Sequence, residues 1–131
     1  DDLILTDEPG LFDVPAICAL IRTTYWASHR DAEQIGESLR HSTCLALMRE
    51  GRTIGFVRAI SDRAVNSYIC DFVIAEECRG QKLGTWMLET LMAHPDLART
   101  NQLLLTRDAM AFYESHGFAK HPYTCMKRPG P

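Results

Sequence analysis

The chain has 131 residues, 46% of them hydrophobic, with 14 Lys and Arg against 17 Asp and Glu for a net charge of −3. At about 150 residues per domain this is material for one domain over 1–131, whose core needs neither disulfides nor a structural metal. The acid-leaning balance, with a pI near 5.9, counts against a dedicated nucleic-acid binder with its basic face and against a polybasic membrane-surface protein.

Taken in chain order, Asp13 reads as an N-cap with Pro15 in the first turn of a helix. Ile17, Leu20, Ile21 and Tyr25 then fall on one helical face. A second helix starts at Asp31, with Gln34 completing a capping box and Ala32, Ile35 and Leu39 as its buried face. Gly36 works against that helix. Strands follow at 44–49 and 52–60 around a tight hairpin turn at Glu50-Gly51, and a third strand at 68–74. A helix over 83–93 stops before Pro95, a short strand covers 102–105, and a helix over 109–116 ends at Gly117 as a left-handed cap. A last strand is expected at 122–126. This order predicts an α+β (α/β) fold: a mixed, mostly antiparallel sheet with a parallel strand-helix-strand core and flanking helices.

Apolar runs such as 44–48 fall far short of the ~20 residues that cross a bilayer, and no charged leader with an apolar stretch opens the chain. Five cysteines with no C-x-x-C pair do not make a disulfide framework, which points to a reducing, cytoplasmic setting. Cys18, Cys44, Cys70 and Cys125 fall in periodic segments and are expected as small core residues. No close pair of the five histidines sits on one helix face, so no metal is expected.

Two stretches carry chemistry. Arg79-Gly80-Gln81-Lys82-Leu83-Gly84-Thr85 joins a strand to a helix. A helix start presents unpaired N–H groups and the positive end of its dipole, which suits phosphate; the glycines admit an anion, and Arg79 and Lys82 add charge. An ordinary strand-to-helix turn holds the same residue types. The second stretch, 111–118, ends a helix. Phe112 and Phe118 read as core, whereas Tyr113 brings a phenol of pKa about 10 that can donate a proton.

In this order, about thirty residues apart, the two stretches resemble the motifs of the GNAT superfamily of N-acetyltransferases, Arg/Gln-x-x-Gly-x-Gly/Ala and Phe/Leu-Tyr-Glu-x-x-Gly-Phe. The resemblance extends over 44–118, and the amino-terminal helix pair fits the family's order. It implies that Arg79, Gly80, Gln81, Lys82, Leu83, Gly84 and Thr85 wrap the pyrophosphate of acetyl-CoA. It implies further that Phe72, Val73 and Ile74 pair with the pantetheine arm, and that Tyr113 protonates the leaving thiolate. Many relatives dimerise, so a homodimer is among the implied partners. The chain departs from the pattern at Lys82, where the family has Gly, and at Thr106, Glu76 and Cys78.

Asp71 interrupts an apolar strand and is expected either to accept a proton from the attacking amine or to tie down an arginine. Tyr25 and Trp26 either line the acceptor pocket or pack in the core. Cys78 precedes a helix start and an arginine, but no base is placed for it. The expected activity is transfer of an acetyl group from acetyl-CoA to a primary amine of a small molecule or peptide, with no metal, nucleic acid or membrane. A non-catalytic acyl-CoA-binding sensor is the alternative, and an enzyme acetylating aminoacyl-tRNA is disfavoured by the net charge. Net acidity leans towards a cationic acceptor.

Overall fold

The computed structural model describes residues 2–131. Five strands form one sheet in sequence order: β1 (Leu3–Thr6), β2 (Thr43–Arg49), β3 (Arg52–Ser61), β4 (Asn66–Ile74) and β5 (Asn101–Leu104). The first three pairings are antiparallel and β4–β5 is parallel. Four helices flank them: α1 (Val14–Ile21), α2 (Ala32–Arg40), α3 (Leu83–Met92) and α4 (Met110–Glu114).

Local chemistry explains the elements. Asp13 accepts from the Ala16 amide at 3.1 Å and Asp31 from the Gln34 amide at 2.7 Å, so both helices begin at side-chain caps. A cap of this kind stabilises by about 1 kcal/mol, which offsets the roughly 1 kcal/mol that Gly36 costs inside α2. Glu50 (φ 51°) and Gly51 (φ 79°) both take positive φ, as the two-residue turn between right-twisted strands requires. Strand β2 is apolar from Cys44 to Met48 because both of its faces are covered. Leu45 and Leu47 pack with Leu83, Met87, Leu88 and Leu91 of α3, while Cys44 and Ala46 pack with Ile17 and Ile21 of α1 and Ile35 of α2. Gly55 lets these layers close: a β-carbon there would lie 2.8 Å from Met87 Sδ and 3.2 Å from Leu47 Cβ.

Several expectations are corrected. The Leu3–Thr6 edge strand was not foreseen, since its three apolar residues carry no alternation. Helix α1 ends at Ile21, so Tyr25 leaves the helical face and is 53% exposed. Ala32 is exposed and Leu39 half-buried, leaving Ile35 as the buried residue of α2. Helix α4 has five residues, shorter than 109–116. No strand forms at 122–126: that segment is irregular and exposed, with Cys125, Tyr123 and Met126 on the surface. The aromatic, β-branched and apolar side chains of Tyr123, Thr124, Cys125 and Met126 carry the sequence pattern of a strand, but the segment pairs with no described strand.

Candidate active site

Strand β4 is paired with β5 only from Asn66 to Ile69, opposite Asn101 to Leu104. Beyond Ile69 it runs on to Ile74 with that edge unpaired by β5. On its other edge the register slips. Phe56 faces Val73 and Arg58 faces Cys70, so Asp71 and Phe72 together oppose Val57. Asp71 is the bulged residue, with φ 53°. Asp tolerates this left-handed conformation better than most side chains, at a cost of order 1 kcal/mol.

The free edge ends at the start of α3. Gly80 (φ 80°) and Lys82 (φ 62°) turn the chain into the helix, and Lys82 supplies no side-chain cap. The first-turn amides of α3 are therefore presented without a protein cap, beside an exposed lysine. Arg79 folds back instead, donating from Nε to the Ile74 carbonyl at 3.1 Å, and Gln81 accepts from Arg49 at 3.0 Å. Leu83 is buried in the core, so of the expected loop residues it contributes backbone alone. Gly84 lies against rings: its β-carbon would touch Phe72 and Phe112, both at 3.6 Å.

Those rings continue into an aromatic cluster under the open edge. Phe72 meets Phe112 with centroids 5.9 Å apart and Tyr113 at 6.3 Å, and Phe112 meets Tyr113 at 5.2 Å. The Tyr113 hydroxyl hydrogen-bonds to no described residue, and burial pushes its pKa up to about 12. The structure thus brings Phe72, the α3 start and Tyr113 to one place. Val73 turns to the other face, in the core with α1.

Asp71 belongs to a different arrangement. Its Oδ1 accepts from Trp26 Nε1 at 3.0 Å and Arg30 Nη1 at 2.9 Å; its Oδ2 accepts from Arg30 Nη1 at 2.8 Å and Arg58 Nε at 2.6 Å. Burial alone would raise its pKa, but the bonds and charges of Arg58 and Arg30 outweigh burial and lower it. A carboxylate filled in this way is a poor proton acceptor. Of the two roles expected for Asp71, its bonds form the arginine tie, which fixes the α1–α2 loop to the bulge. Trp26 is a bond donor in that tie. Tyr25 stands outside it, edge-on to Trp26 at 5.0 Å and beneath the Arg107 guanidinium, 3.7 Å from the ring centroid.

Arg30, Arg58 and Arg107 were missed by sequence reasoning. Arg58 carried a usable signal, since it breaks the apolar run of β3 as Asp71 breaks that of β4. Burial pushes the Cys44 and Cys70 thiols up to about 12 and about 11, which leaves both unreactive as thiolates. Among the described residues no group of three or more His, Cys, Asp or Glu could hold a metal. No described helix is long and apolar enough to cross a membrane. A hollow of about 460 Å³ is lined by Leu39, Thr43, Cys44, His94 and Asp96, and by none of Phe72, Asp71, Tyr113 or the start of α3. It lies at the other end of the sheet.

The family model for the acetyltransferase (GNAT) domain matches residues 40–120. A protein of Gibberella zeae assigned to the acetyltransferases is 30% identical over 136 residues, covering 86% of this chain and 76% of that one. A solved protein of the GNAT family from Xanthomonas campestris pv. campestris is 29% identical and superposes with a TM-score of 0.89 over 100% of this chain and 95% of its own. The N-acetylglutamate synthase of Neisseria gonorrhoeae, solved with coenzyme A and N-acetylglutamate, shares the fold at TM-score 0.72. It has 16% identity over 88% of this chain and 28% of its own. With the sheet, the split and the motif spacing, these likenesses place the chain in the GNAT family of acetyltransferases.

Proposed function

We propose that residues 1–131 act as one domain that transfers an acetyl group from acetyl-CoA directly to a primary amine of a small molecule or peptide. The observation that carries this is the unpaired β4 edge lying between an uncapped helix start and a phenol with no hydrogen-bond partner among the described residues. A solved fold neighbour that holds coenzyme A supports the cosubstrate. Acetyl-CoA supplies the acyl group and a thiol leaving group.

The chain's own residues do the rest. Backbone amides from Gly80 to Thr85, with Lys82, bind the pyrophosphate, and Arg79 and Gln81 brace the loop from behind. Phe72 and Ile74 offer backbone groups along the open edge to the amides of the pantetheine arm. Val73 holds that edge in place from the core. Tyr113 donates a hydrogen bond from Oη to the departing sulfur, and the proton shed by the acylated amine reaches that sulfur through water. With its pKa about 12 against about 8.5 for a thiol, full transfer is uphill by roughly 5 kcal/mol. The phenol therefore acts chiefly as a hydrogen-bond donor to developing charge.

Asp71 acts as a positioning residue for the bulge, and the amine enters unprotonated from solvent on the side of Tyr25 and Trp26. The free cysteines support a reducing, cytoplasmic setting, and the net charge of −3 supports a partner other than nucleic acid. The homodimer implied by the family resemblance is tested by sedimentation. Thiol release from acetyl-CoA is the decisive assay. Stimulation by members of an amine panel supports transfer, and tight acetyl-CoA binding with no turnover on any amine replaces this reading with a sensor module.

A further inference from the structure

We infer that the acceptor amine carries a carboxylate, and that the open edge of the Arg30 guanidinium, aided by Arg107, is where this carboxylate binds. The inference rests on the acetyl-transfer reading above and names its substrate class.

Two guanidiniums share one carboxylate at the bulge. The side chains of Arg30, Arg58 and Asp71 are 24%, 11% and 1% exposed, so one net positive charge is held largely away from water. Such a charge loses hydration and gains field strength, and buried charges are ordinarily paired. Arg58 is committed to Asp71 Oδ2 and, from Nη1, to Ser42 Oγ at 3.0 Å. Arg30 commits only Nη1, to both oxygens of Asp71. Its Nε and Nη2 bond to no described residue. That pair of donors is the planar fork that takes a carboxylate through two parallel bonds.

The surroundings of the fork fit an acceptor. Cys70 lies within electrostatic reach of Arg30 and Arg58, and from Cys70 a half-exposed apolar floor extends across three strands. Ile60 faces Tyr68 and Tyr68 faces Leu103. The floor adjoins the point where β4 and β5 part. At the same rim Arg107, from the loop between β5 and α4, lies over Tyr25 as a second guanidinium. Its acidic neighbour Asp108 is 3.7 Å away and both are largely exposed. A molecule with its anion on Arg30 and its apolar body on this floor has its amine directed to the split. A purely cationic amine meets like charge here. The chain's net charge of −3 acts on encounter, whereas the local arginine excess acts at contact.

The test compares matched pairs: β-alanine, 4-aminobutyrate and 5-aminopentanoate, each against its neutral carboxamide. Two readouts are taken, kcat/KM for acetyl transfer and the arginine Nε–H signals in NMR titrations. We expect the best acid to exceed its carboxamide by about tenfold or more in kcat/KM, the scale of one charge-assisted hydrogen bond. The Arg30 Nε–H signal should shift saturably with acids alone. Arg30→Lys keeps a cation for Asp71 but lacks the fork, and should remove the preference through KM with little change in kcat; Arg107→Gln, on an exposed side chain, should weaken it in part. Equal kcat/KM within every pair, or an Arg30 signal indifferent to acids, overturns the inference. Transfer without preference leaves the acetyltransferase reading standing and removes the carboxylate site. An acid-specific Arg30 shift with no transfer does the reverse.

Discussion

The Phe118 amide donates to the Tyr113 carbonyl at 3.2 Å while their rings meet 5.8 Å apart. With the Gly117 amide donating to Glu114 at 3.2 Å, this is a Schellman closure with its usual apolar contact. The same closure that ends α4 therefore fixes the ring that carries the proposed hydrogen-bond donor. Tyr113→Phe retains the rings and removes the hydroxyl. Turnover should fall by about 10²-fold or more, the scale of removing one hydrogen-bond donor to developing charge, with acetyl-CoA affinity nearly unchanged. Steady-state kinetics with calorimetry check both quantities.

The raised pKa gives that position a pH signature. Burial favours the neutral phenol, so the folded pKa of about 12 exceeds the unfolded value of about 10. The contribution to stability is fully present below the unfolded pKa and is lost as pH rises through the folded one. Urea midpoints of wild type should fall more steeply than those of Tyr113→Phe as pH climbs from 10. Parallel curves count against a buried phenol.

Gly117 sits at φ 90° with no atom within 4 Å of where a β-carbon would be. Gly117→Ala therefore costs backbone strain alone, about 1 kcal/mol. Its loss in kcat should exceed what the stability change explains, because Tyr113 is displaced. A variant with reduced melting temperature but wild-type kcat argues against the coupling.

Replacing Asp71 by Asn leaves Arg30 and Arg58 facing each other without a counter-charge. Breaking a buried pair on one side costs about 3–5 kcal/mol. The folded pKa of Asp71 is lowered, so its contribution is present above the ordinary carboxylate pKa and is lost as pH falls through the folded one. The stability gap between wild type and Asp71→Asn should therefore narrow in acid. Denaturant melts at neutral and acidic pH read it. A gap constant with pH, with a catalytic defect confined to low pH, restores the general base.

At the loop proposed to bind the pyrophosphate, Gly84→Glu mixes two effects, since it drives a carboxylate towards Phe72 and Phe112. Lys82→Gly is cleaner. It relieves a left-handed non-glycine residue and should raise stability by roughly 0.5–1 kcal/mol. It also removes an exposed cation, so acetyl-CoA affinity should drop several-fold, more at low ionic strength. Stability and affinity that rise together place the pyrophosphate elsewhere.

Much of this was legible in sequence because its signals are local. Caps at Asp13 and Asp31, the Glu50-Gly51 turn and the Gly117 closure each act within a few residues. The motif pair located the α3 start and Tyr113 in the same way. The Asp71 network was legible only as one of two expectations, an arginine tie, and without its partners. Its partners Trp26, Arg30 and Arg58 lie 45, 41 and 13 residues away in the chain, and a bulge leaves no compositional mark. The missing strand at 122–126 shows the opposite failure, a local pattern with no tertiary partner to realise it.

Strand order in the sheet equals order in the chain, which bears on how the protein assembles. The antiparallel pairs β2–β3 and β3–β4 join across short connections, whereas β5 must return across α3 to pair in parallel. Closing that long loop is entropically the slower event. The β2–β3–β4 hairpins can zip up first, so the rift between β4 and β5, like the β1–β2 pairing across α1 and α2, is completed after them. It should also open before those hairpins in the native state. Amide hydrogen exchange in β5 should then outpace that in β2 and β3. A bound cosubstrate lying along the rift would slow it, acting as a clasp on the strand that joins late.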